Sequence, residues 1–135
     1  MKSSKTQQAF ETSREAIEQF ENYIRYDMPA LVNKAVQNKQ KNLNFDSSVP
    51  AEYVTDVQDS KNDLPEKIYG IIESIMGHLL QTYNGYIEIL NKAVSGEATL
   101  NDVNTFIPSR ITSIYFSAKK ELDEQYKDFI SEKSS

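Results

Sequence analysis

The sequence predicts an all-α protein: an up-down-up bundle of three long helices, the first kinked at Pro29, with one or two short helices in the connections. Three observations carry the prediction. Glycine and proline are scarce, four of each in 135 residues. The apolar residues recur at helical rather than alternating spacing. The prolines stand where one element gives way to the next. A chain of this length buries enough surface for one core, so residues 1–135 are expected to form a single domain, frayed at about 1–5 and 132–135.

From about Thr6 to Gln40 the apolar stripe is Phe10, Ile17, Phe20, Ile24, Met28, Leu31 and Ala35, which keeps one face of a 3.6-residue helix pointed inward. Pro29 removes the bond that its nitrogen would give to the carbonyl of Arg25. The stripe must therefore kink there or restart with Asp27 as cap. Retention of the phase across Pro29 favours the kink.

The stretch Lys41 to Asn62 is too long for a turn. Ser48 or Val49 before Pro50 reads as a helix start, and Tyr53, Val54 and Val57 give that short helix an apolar face. It is expected to cross the end of the bundle. Asp63-Leu-Pro-Glu66 reads as a cap, a first-turn proline and an acid able to close a capping box, opening a long helix. Its stripe runs Ile68, Ile72, Ile75, Met76, Leu79, Tyr83, Tyr86, Ile87, Leu90 and Val94, and Ser95-Gly96 stops it. Thr99-Leu-Asn-Asp102 resembles a weaker capping box before a short helix ended by Pro108. The last helix is expected from about Ser109 to Glu132, with Ile111, Ile114, Tyr115, Ala118, Leu122, Tyr126, Phe129 and Ile130 inward. Three helices of these lengths would be about 35 to 50 Å long, and each must bury its apolar face against the others.

Composition narrows the function classes. Without cysteine there is no disulfide framework, thiolate metal site or cysteine nucleophile. A net charge of −5 disfavours a general electrostatic grip on nucleic acid or anionic lipid. That excess falls between Asp46 and Glu66, where six acids face Lys61 alone. The stretch is either a solvated connector or a docking surface for a basic partner. The start of the chain and the lengths of its apolar runs predict neither a signal peptide nor a membrane span, and a cytoplasmic setting is expected.

Sites for chemistry are sparse. His78 is the sole histidine. It lies at the edge of the long helix's buried face, one turn after Ser74 but without an orienting acid or an oxyanion hole, and it cannot build a di-metal site alone. No glycine-rich loop precedes a helix to cradle phosphate. The run Asp59-Ser-Lys-Asn-Asp63 places a lysine at a calcium-ligand position and lacks the central glycine of an EF-hand. No catalytic residue, cofactor or metal is expected.

Two features point instead to surfaces. Gly70, Ser74, Gly77, Gln81 and Gly85 share the back of the long helix, and each helix-interior glycine costs about 0.8–1 kcal/mol relative to alanine. A flat strip of this kind lets another backbone approach: the short helix around Tyr53 to Val57, a second copy of the chain or another protein. The alternative is a merely solvated face. Tyr23, Tyr26 and Phe116 fall off their stripes and are expected to be exposed aromatics, whereas Tyr83, Tyr86, Tyr115 and Tyr126 are expected in the core. The function expected is a non-catalytic helical protein–protein interaction or assembly module with a protein partner or a homodimer contact. The alternative is a carrier or coat protein that binds an apolar small molecule or lipid surface between or along its helices.

Overall fold

The structure is a computed structural model that describes residues 2–38 and 48–134. Its elements are α1 (Lys2–Asn22), α2 (Met28–Gln37), α3 (Ser48–Asp59), α4 (Glu66–Val94), α5 (Leu100–Arg110) and α6 (Ser113–Ser134), and no strand occurs among the described residues. No described helix is long and apolar enough to cross a membrane. Met1, Ser135 and the start of the Lys41–Asn62 connection, with Asp46, lie outside the described residues; the backbone is helical from Lys2 and through Ser134.

The first long helix passes Pro29 without a break. Between α1 and α2 the backbone widens into a π turn over Tyr23–Asp27, in which the N–H of Met28 donates to the carbonyl of Tyr23, five residues back. This answers the problem that Pro29 poses, because the wider turn redistributes the carbonyls that an α-helix would set against the proline ring. It also rephases the stripe. Ile24, Met28, Val32 and Ala35 are buried, while Leu31, expected inward, is 37% exposed.

Residue pairs along the helices fix their directions. Phe20 stacks near Tyr53 of α3, and the same ring meets Tyr83 of α4. Lys5 pairs with Asp63 just before α4. Phe10 stacks face to face on Tyr126 of α6 at 3.7 Å. Thus α1–α2 runs up, α3 runs back beside α1, α4 runs up and α6 runs down. The short helix α3 is a leg of the bundle, where the sequence had suggested a cap across its end, and it supplies the return between α1 and α4. Its buried Pro50 and Val57 account for the position.

Around this frame the core is continuous, from Ala9 and Phe10 through Ile17, Phe20 and Ile24 to Ile72, Leu79, Tyr86 and Leu122. Two buried hydroxyls are satisfied by the carbonyl four residues back: Thr82 donates to that of His78 and Ser60 to that of Asp56. The hydroxyl of Ser13, also buried, has no partner.

Two helix starts differ from expectation. Asp63 does not cap α4. Leu64 is extended, as a residue before proline is pushed to be, and the helix begins only at Glu66 with no side-chain cap. Asp63 instead ends a short 3₁₀ turn, its N–H donating to the Ser60 carbonyl. The capping box that does form is Thr99 with Asp102: the Asp102 N–H donates to Thr99 Oγ1 at 3.1 Å, and the Thr99 N–H donates to Asp102 Oδ2 at 2.9 Å. Pro108 lies inside α5 rather than ending it, because only two residues remain before the helix stops at Arg110. The last helix therefore starts at Ser113, four residues later than Ser109.

Candidate functional site

The corner where α5 turns into α6 lies against the middle of α4 and leaves a groove of about 450 Å³. Ser74, Ile75 and His78 form its α4 wall; Ser109, Arg110, Thr112, Ile114, Tyr115 and Ala118 form the other. The wall exists because the backbone leaves helical geometry at Ile111, whose φ of −96° and ψ of 82° end α5, and because α6 starts anew two residues later. Ile111 and Tyr115 anchor the corner in the core. Ile114, one position before Tyr115, is rotated about 100° away from it and is left at the groove rim, 80% exposed.

His78 holds the corner shut on one side. Its Nε2 lies 2.7 Å from the carbonyl oxygen of Arg110. A carbonyl only accepts, so Nε2 carries the proton and donates. The ring also lies 5.9 Å from that of Tyr115. The Nε2 proton is thus committed to tying α4 to the end of α5. No hydrogen bond joins His78 to Ser74, so the pair has no nucleophile–base geometry.

The titratable groups with displaced pKa values lie chiefly along the seam between α1 and α6. Glu21, on α1, is buried and accepts from three sides: Tyr115 Oη at 2.7 Å, Lys119 Nζ at 2.9 Å and Arg25 Nε at 2.9 Å. Burial opposes its charge, but the hydrogen bonds from Tyr115 and Lys119 and the charges of Lys119 and Arg25 outweigh it and hold the carboxyl below its ordinary value. Burial and the bond to Glu21 push the Tyr115 phenol well above its ordinary value. The seam continues through Glu18, which pairs with Lys119 and Arg14, to Asp123, which Arg14 grips with Nε at 2.9 Å and Nη2 at 3.2 Å. Burial opposes the Glu18 charge as well, yet Lys119 and Arg14 keep its pKa low. Glu18 and Glu21 owe their lowered values to partners that cross from α6 or flank them on the first helix, and the seam clamps α1 to α6.

The five strip residues of α4 do not act as one surface. Gly70, Ser74 and Gln81 are exposed, and Gly77 is half-buried with open space where a side chain would project. Ser74 enters the groove wall. Gly85 is covered: a Cβ there would meet Phe106 Cζ at 2.9 Å, and that ring stacks on Tyr86 with centroids 5.2 Å apart. The element that comes close is α5, not the short helix around Tyr53 to Val57.

Of the three aromatics expected at the surface, Tyr23, at the start of the π turn, is half-buried and packs near Tyr83 at 6.3 Å. Tyr26 is 66% exposed, rotated away from buried Ile24 on the outer side of the first helix. Phe116 is 46% exposed, with Arg25 and Lys119 over its ring at 5.6 and 5.8 Å. Tyr23 and Tyr26 therefore sit apart from the α4 strip. The expected core positions Tyr83, Tyr86 and Tyr115 are buried and Tyr126 is half-buried, whereas Ile114 and Ile130, expected inward, are exposed.

Sequence reasoning missed the groove because it needs the corner. With α6 started at Ser109, Ile114 belonged to the inward stripe. A start at Ser113 makes it a first-turn residue beside that stripe. In the acidic stretch, Asp56, Asp59 and Asp63 line a shallow recess with Lys5, Gln8 and Thr12. No group of three or more histidine, aspartate or glutamate residues among those described is placed to hold a metal ion. Compared with protein-family models, curated proteins and solved structures, the chain matches none.

Proposed function

We propose that the protein is a non-catalytic docking module that works by self-association, with the α5–α6 corner as its contact surface. The observation that carries this reading is Ile114, 80% exposed at the rim of an open groove whose opposite wall is α4. An isolated exposed isoleucine is unremarkable. One standing at the edge of a concavity floored by Ile75, Tyr115 and Ala118 offers both a knob and a hole on one surface, which is what a two-fold contact between identical copies requires. Small Ser74 and open Gly77 beside it leave room for a second helix to approach. The test is the solution mass of the natural chain and of Ile114→Asp across a range of concentrations. A dimer that the substitution dissociates supports the reading; a natural chain that stays monomeric removes it.

A second reading has one observation in its favour: the groove volume lies in the ~300–1,000 Å³ range of small-molecule sites. In that reading a monomer binds an apolar dye or fatty acid, and Ile114→Asp weakens the binding without any change in mass.

A further inference from the structure

We propose that α2 can pack in two registers one residue apart, and that Pro29 is the latch that selects the observed one. At about 100° per residue an uninterrupted α-helix would put Leu31 within about 20° of the direction of Ile24 and Val32 about 80° from it. The extra residue taken up by the π turn turns everything after it back by about 100°, which brings Val32 to about 20° and sends Leu31 to about 120°. The burial matches the second pattern: Val32 is 6% exposed and Leu31 is 37%. Met28 serves both registers, and so does Ala35, two turns further on. Leu31 and Val32 are adjacent and both apolar, so either register buries an aliphatic side chain against α4.

Polar contacts hold the turn upstream, and buried apolar side chains hold α2 downstream. Upstream, Glu21 is fixed to Tyr115 and Lys119 of α6, and Arg25 is fixed to Glu21 and to the Phe116 ring. A change of register therefore leaves α1 and the start of the turn in place and rotates α2 alone. The proline keeps α2 in the observed register. In an uninterrupted helix its ring meets the carbonyl of Arg25, and the π turn, in which the Met28 N–H donates to the Tyr23 carbonyl, departs from that geometry. The exchange replaces Leu31 by Val32 on the outer surface and changes the face that α2 presents to solvent without unfolding it.

Because the chain has no cysteine, single thiols report the register directly. Leu31→Cys and Val32→Cys are each made in the natural chain and with Pro29→Ala. In the natural chain the thiol at position 31 is expected to react faster than the one at 32. With Pro29→Ala the ratio of the two rates is expected to fall toward or below one, with the register equilibrium moved by about 100-fold, the weight of an internal proline's clash. A ratio that Pro29→Ala leaves unchanged, with helicity intact, overturns the proposal. An independent arm uses stability: Val32→Asn is expected to cost more than Leu31→Asn in the natural chain and less in the Pro29→Ala chain. The same order in both chains also overturns it.

Discussion

Alanine at the three glycines of α4 separates the covered part of this helix from the open part. Beyond the adjacent residues and the helix's own backbone, neither Gly70 nor Gly77 has any atom within 4 Å of the point where a Cβ would stand. Alanine there meets nothing and gains the intrinsic helix preference, about 0.8–1 kcal/mol for each site. The two glycines are two turns apart and share no partner, so the effects should add to about 2 kcal/mol. For a chain of this length that is a rise in Tm of about 6–7 °C for the pair. Gly85→Ala places its methyl against a ring already stacked on Tyr86, so Phe106 must move off that stack. The overpacking more than offsets the helix gain, and a net loss of about 1 kcal/mol is expected. Urea and thermal unfolding of the three single variants, at a concentration where the natural chain is monomeric, give the comparison. Equal stabilisation at all three sites would refute the placement of α5 on α4. Destabilisation by Gly77→Ala in the monomer would show that the open face is covered from within the chain.

Further predictions concern the clamp, a cap and the core. Glu21→Gln strips the charge from a carboxylate that accepts from three donors and should cost about 3 kcal/mol, read by urea unfolding at pH 7. Because the folded pKa of Glu21 lies below its ordinary 4.5, the stability it contributes is present above that value and is lost as pH falls toward the folded pKa. Unfolding measured below pH 4.5 should accordingly be steeper in pH for the natural chain than for Glu21→Gln. Thr99→Ala should cost about 1 kcal/mol while Asp63→Ala changes little, since only the first residue caps a helix. Ser13→Ala should raise stability by about 1 kcal/mol, because it removes a buried hydroxyl that has no partner.

The helical stripes were legible because they depend only on period. Ile68 to Leu90 faces inward as spaced, and so do Phe10 to Met28. Local signals failed where two local rules compete. Asp63 has the composition of a capping box, but Pro65 forces Leu64 to extend and displaces the helix start; Thr99-Asp102, with no proline between, closes as written. Leu31 and Val32 changed places because a π turn adds a residue that no periodicity announces. The clamp was illegible for another reason: Glu21 and Tyr115 are 94 positions apart and meet only once α1 and α6 are side by side. The groove is of the same kind. Its walls come from α4 and from a corner whose position depended on α5 continuing through Pro108.

Self-association through the α5–α6 corner is tested most directly by sedimentation of the natural chain, run beside Ile114→Asp from low to high micromolar concentration. The predicted mass rises from 15.4 kDa toward twice that value in the natural chain and stays at the monomer value in the variant. A natural chain that holds the monomer mass throughout, or a dimer indifferent to aspartate at position 114, would contradict it.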